Sequence, residues 1–166
     1  LRFKKSINKD KTEIMNKLKA YKMDGLGNDF IIFDNRTQSI SLSKDQIIKI
    51  SDRNNIGCDQ VIFINNDENK KINLRFFNSD GGEISACGNG SRCAAYFLMK
   101  ENKTNEVLIK TKGGTLNAKL EKNDHITINM GEPSFDWKKI PLSKEINNKN
   151  LEIEIVNRNG QKFKGG

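Results

Sequence analysis

SRCAAYFLMKE, residues 91–101, decides the architecture. Its interior, from Cys93 to Met99, is apolar on every side of a helix. A helix that is apolar all round is buried all round, so sheet has to wrap it. Ser91 reads as its N-cap. Working outward, residues 72–78 and 83–86 read as strands on either side of a tight SDGG turn, and 61–65 as another. Ser43 opens a second helix, with Gln46 three residues on in a capping-box arrangement. Ile47, Ile48 and Ile50 give that helix an apolar side, and it fades by residues 54–57. Still earlier, residues 18–23 and 30–34 are strand-like and flank the turn-rich DGLGND. Downstream, residues 107–111, 115–121 and 126–130 read as strands, and 115–121 alternates cleanly. A loop carrying Pro133 and Pro141 leads to a strand at 151–156, and the chain runs out in polar NRNGQKFKGG. The fold class is α+β: an antiparallel sheet curled around a central buried helix, with the first helix packed outside.

The 166 residues suit one domain. Residues 1–14 are polar, Lys-rich and without period, and read as a disordered or added tail; the domain runs over 15–166. No apolar run reaches the roughly 18–20 residues that span a membrane, and no apolar stretch follows the basic opening, so neither an anchor nor a secretory signal is read. The cytoplasm is the expected compartment. The net charge of +8 raises nucleic acid as a partner. The lysines, however, are scattered, with no arginine stripe and no interleaved aromatics, so no nucleic-acid partner is expected. Three cysteines and one histidine, with no C-x-x-C pair, match no zinc module, and no metal is expected. Cys58, Cys87 and Cys93 read as free thiols.

The chemistry concentrates at Cys87. It stands between a strand and a helix and is followed by Gly88-Asn89-Gly90. The two glycines allow tight turns with positive φ, and successive N–H groups at a helix start bind anions. A helix start also favours a thiolate. A reactive thiol and a carboxylate pocket can therefore coexist there. Taken alone, GLGNDF (25–30), GCDQ (57–60) and FNSDG (77–81) are loop and turn sequences.

In this order and spacing, these motifs resemble the diaminopimelate epimerase family. KMDGLGNDF (22–30) is similar to its opening motif, GCDQ to its Gly-x-Asp-Gln motif, FNSDG to its Phe-Asn-x-Asp-Gly motif, and CGNGSRC (87–93) to the stretch around its catalytic cysteine. NMGEP (129–133) also matches. The resemblance covers roughly residues 17–160. It implies one of two pseudo-symmetric α+β domains around a cleft, each giving one cysteine. The implied reaction is cofactor-independent inversion of LL-diaminopimelate to the meso form, for lysine and peptidoglycan synthesis, without pyridoxal phosphate or metal. Cys87 matches the catalytic position. Asn28, Gln60 and Asn78 match substrate-binding positions, and Gly88 and Asn89 match the amides that hold the α-carboxylate. The partner is thus a small amino acid, diaminopimelate, and a homodimer is compatible with the family.

Two thiols, one ionised and one protonated, supply base and acid on opposite faces of Cα. With no electron sink, fixed dipoles must stabilise the carbanion. Cys93, on the apolar helix, reads as core. Cys58 stands where the family usually has an aromatic residue, and Asp24 where it has histidine. The family's second half, with the partner cysteine and a Glu-Arg pair, has no counterpart here, so the chain reads as an N-terminal fragment, inactive or nearly so alone. The competing readings are a half-domain binding module without turnover and a related amino-acid racemase.

Overall fold

A computed structural model describes residues 18–140, 142, 144–147, 153–156 and 159–165. The tail read at 1–14 and residues 151–152 lie outside the described residues. The chain divides into two units, one ending at Met130 and one beginning at Gly131.

The first unit opens on a hairpin, β1 (Ala20–Gly25) and β2 (Asn28–Asp34), paired from Ala20↔Phe33 to Gly25↔Asn28. Both residues of its two-residue turn, Leu26 and Gly27, take positive φ, as this kind of hairpin turn demands. Helix α1 (Lys44–Ser51) follows. Its capping box forms as read: the Gln46 N–H donates to Ser43 Oγ, and the Ser43 N–H donates to Gln46 Oε1 at 2.8 Å. Of its three isoleucines only Ile47 is fully buried.

Strands β3 (Gln60–Asn66) and β4 (Ile72–Asn78) pair antiparallel, and β5 (Glu83–Ile84) adds two residues beside β4. After the central helix α2 (Gly88–Asn102) come β6 (Glu106–Thr111), β7 (Gly114–Leu120) and β8 (Ile126–Asn129). The strand order is β1-β2-β3-β4-β6-β7-β8. Most joints are antiparallel as expected, but β2 runs parallel to β3, and β4 runs parallel to β6. Each parallel joint is bridged by a helix, because parallel neighbours need a long crossover. The two crossovers put α1 and α2 on opposite faces of the sheet.

Strand alternation divides the sheet's side chains between these faces. Phe30, Ile32, Ile62, Ile64, Leu74 and Phe76 pack with Cys93, Ala94, Ala95, Leu98 and Met99 of α2. Ile31, Phe33, Val61 and Phe63 pack with Ile47 and Cys58 on the α1 face. The sheet curls so that α2 packs against strands from β1 to β8. Burying the apolar helix on all sides is what its composition demanded.

The start of α2 corrects the sequence reading. Its N-cap is Cys87, with extended backbone (φ −145°, ψ 115°), not Ser91. Ser91 lies inside the helix, fully buried, and its Oγ has no hydrogen-bond partner among the described residues. Gly88 and Gly90 are likewise helical rather than left-handed. Gly90 is there for space: a Cβ on it would come 2.8 Å from Ile62 Cδ1, 3.2 Å from Phe76 Cε1 and 3.3 Å from Phe30 Cε1. Close seating on three core side chains recruits a Gly-Asn-Gly run into the helix despite poor propensity.

The second unit holds a short 3-10 turn, Trp137–Lys139, capped by Asp136, whose Oδ1 accepts from the Lys138 N–H at 3.1 Å. It also holds an antiparallel pair, β9 (Ile153–Val156) and β10 (Lys162–Gly165). Strand β10 falls in the stretch read as a polar tail; its pairing with β9, not its own pattern, makes it a strand. No helix among the described residues is long and apolar enough to cross a membrane.

Candidate active site at the start of the central helix

Pairing register collects the matched residues at one end of the sheet. Gln60 opens β3 opposite Asn78 at the end of β4, and Phe30 pairs with Gln60, so Asn28 lies one layer beyond it at the start of β2. The alternation that turns Phe30, Ile62 and Phe76 toward α2 puts Asn28, Gln60 and Asn78 on that same face. Gly90 sits on Phe30, Ile62 and Phe76, so the first turn of α2, carrying Cys87, Gly88 and Asn89, lies next to the layer of polar amides. The β1–β2 hairpin closes in from the side. A Cβ on Gly25 would come 3.0 Å from Cys93 Sγ and 3.5 Å from the Asn89 carbonyl.

Each side chain is held. The Gly90 N–H donates to Cys87 Sγ at 3.4 Å, and the Ser91 N–H to the Cys87 carbonyl at 2.8 Å. Cys87 is half-buried. The strand entering it is pinned by the β6–β7 hairpin, where the Gly113 N–H donates to the Ser85 carbonyl at 2.9 Å. Arg92 donates to Asn89 Oδ1. Gln60 Nε2 donates to Asn78 Oδ1 at 2.9 Å, while Gln60 Oε1 is buried with no hydrogen-bond partner among the described residues. Asn78 is fixed in its turn by backbone bonds with Gly81 and Gly82.

The other two thiols differ in kind. Burial pushes the Cys93 thiol up to about 12. Burial also pushes the Cys58 thiol up, although Cys58 donates to Ser51 Oγ at 3.4 Å. Cys93 packs against α2's surroundings as core, and Cys58 fills the α1 face.

An ionic clamp beside the site was not read from the sequence. Asp29 and Asp59 each accept the other's backbone N–H, at 2.9 and 3.0 Å. Arg53 donates to both carboxylates at 2.6–2.8 Å, and Lys22 donates to Asp29 Oδ2 at 2.6 Å and to the Gly57 carbonyl. The clamp ties the hairpin to the loop before β3. Burial opposes ionisation of Asp29, but hydrogen bonds from Arg53 and Lys22 outweigh it and hold the carboxyl well below the usual carboxylate range. A carboxyl with a lowered folded-state value stabilises the fold fully above its unfolded value, about 3.9, and that stabilisation is lost as the pH falls toward the folded-state value. In urea unfolding between pH 6 and pH 3, Asp29→Asn is therefore expected to be less stable than the unaltered chain at pH 6. It should then lose less stability on acidification, a difference on the order of 1–2 kcal/mol. Parallel acid profiles for the two chains would remove Asp29 from the account.

A cavity of about 480 Å³ lies elsewhere, between β4 and β6. Four of its charged residues pair with one another, Arg75 with Glu83 and Lys110 with Asp67.

A thiol caps a helix wrapped by a curled sheet, with three strand-end amides alongside. The family model described as diaminopimelate epimerase matches residues 20–136. The diaminopimelate epimerase of Pelagibacter ubique is 49% identical over 149 residues, covering 90% of this chain and 54% of the relative. That of Nitrosospira multiformis is 43% identical over 133 residues, covering 78% and 48%. Among solved structures, a hydroxyproline epimerase from Agrobacterium vitis aligns with a TM-score of 0.46 at 14% identity, covering 66% of this chain and 40% of the other. The chain belongs to the diaminopimelate epimerase family. It spans about half the length of the curated relatives it matches.

Proposed function

We propose that this chain supplies one acid/base thiol, Cys87, and part of the substrate site for inversion of LL-diaminopimelate to meso-diaminopimelate, a step toward lysine and peptidoglycan. The observation that carries the reading is the placement of Cys87 Sγ at the N-cap of α2. The Gly88 and Asn89 N–H groups lie in the first turn, where no intrahelical acceptor exists, and there they suit an α-carboxylate. As the thiolate takes the Cα proton, negative charge grows on the substrate; those amides stabilise it. A second thiol on the opposite face returns a proton. Neither Cys58 nor Cys93 suits that role, being buried with thiols pushed upward. Buried Gln60 Oε1 and the amides of Asn28 and Asn78 supply acceptors and donors for a zwitterion.

The test incubates the folded chain with LL-diaminopimelate in deuterated water and follows the α-proton by NMR. Binding without inversion is expected from one thiol of two. Inversion with deuterium incorporation would overturn the half-site reading, and a folded chain that binds no diaminopimelate would overturn the substrate assignment.

A further inference from the structure

Asn28 is an amide with a donor end and an acceptor end, and in water either end can face a ligand. Here its Nδ2 donates to Asp59 Oδ2 at 2.8 Å. An ionised carboxylate only accepts, so the amide cannot turn its carbonyl that way. Asp59 is itself prevented from turning. Its Oδ2 also accepts the Asp29 N–H at 3.0 Å, its Oδ1 accepts from Arg53 Nη2 at 2.7 Å, and its own N–H donates to Asp29 Oδ1 at 2.9 Å. We propose that Asp59 is a positioning residue that sets the polarity of Asn28: it holds the NH₂ end and so obliges Asn28 to present its carbonyl Oδ1 to the site. This rests on the proposed role of Asn28 as a substrate contact.

The consequence is selective. A presented carbonyl takes a donor, such as the ammonium of an amino acid, and rejects a carboxylate. The buried Gln60 Oε1 on the neighbouring strand, with no partner among the described residues, has the same polarity. Two acceptors beside the first turn of α2 divide the work, with ammonium at the strand ends and carboxylate at the helix amides. Asp59→Asn inverts this with almost no change of shape. Arg53 has only donors and keeps the new amide's oxygen, so the new NH₂ falls against Asn28, which accepts it by turning its carbonyl inward, and against the Asp29 N–H, which loses its acceptor. Asn28 Nδ2 then faces the site.

The test uses the full chain with ¹⁵N,¹³C labelling and LL-diaminopimelate as probe. In the unaltered chain a through-hydrogen-bond coupling between Asn28 Nδ2 and the Asp59 carboxyl carbon is expected, with slowed exchange of the Asn28 side-chain amide. Its absence in a folded chain overturns the proposal, with no variant needed. Asp59→Asn is expected to weaken diaminopimelate binding about tenfold, whereas adding it to Asn28→Ala costs nothing further. A merely structural Asp59 would give the same loss in both backgrounds, and that outcome also overturns the proposal. If the unaltered chain binds no diaminopimelate, the substrate reading falls, while the coupling still decides whether Asp59 orients Asn28.

Discussion

Replacing Cys87 by alanine is expected to remove epimerisation while leaving the fold in place. The measurement uses this chain joined to the unmatched part of the Pelagibacter ubique relative, of which it matches 54%. Positioned acid/base groups contribute about 10²–10⁴ in rate, so a loss of about a thousandfold in kcat is expected, read as deuterium incorporation at Cα. Cys87 is only half-buried, and the cap it provides through sulfur is a weak one. The variant should therefore lose less than about 1 kcal/mol in urea unfolding. A folded variant keeping a tenth of the rate would end the assignment of Cys87 as an acid/base group.

The second large effect is on stability, at Gly90. Gly90→Val puts a branched side chain where a bare Cβ already lies 2.8 Å from Ile62 Cδ1 and 3.2–3.3 Å from the rings of Phe76 and Phe30. All three neighbours are fully buried, so none can swing away into solvent. Leaving glycine in a helix recovers something under 1 kcal/mol, but overpacking of a filled core costs about 1–3 kcal/mol or more. We expect a net loss of about 3 kcal/mol in urea unfolding. Because Gly90 seats the turn that carries Cys87, diaminopimelate binding should fall with it. A variant as stable as the original would mean that the first turn does not rest on this layer.

Much of this organisation was legible in the sequence, and the parts that were not share a cause. The all-apolar interior of α2 announced a wrapped helix, and Ser43 with Gln46 announced α1, because both signals are local. The start of α2 was misread at Ser91 because a hydroxyl is the usual cap and glycines usually argue against helix. What overrides this is contact with Phe30, Ile62 and Phe76, residues far away in sequence. The parallel joints β2–β3 and β4–β6 were missed for the same reason, since strand alternation says which face is buried but not which neighbour lies alongside. Asp29 and Asp59 stood inside quoted motifs as loop residues. Their reciprocal bonds depend on the register of β2 with β3, which no single stretch of sequence carries. The motif resemblance identified Cys87, Asn28, Gln60, Asn78, Gly88 and Asn89 as a set, and the fold brings that set to one end of the sheet. Their roles rest on the experiments above.

The sulfur of Cys87 holds the cap of α2 besides the acid/base duty proposed for it. The electron pair that a reacting thiol shares with an incoming proton or an alkylating reagent is drawn from the same atom that receives the Gly90 N–H. Each change at sulfur therefore tightens or loosens the opening turn of α2. The amide of Gly90 becomes a built-in indicator: its nitrogen frequency tracks the state of the thiol without any label on the thiol itself. Reactivity and local order at this terminus can be read from one resonance.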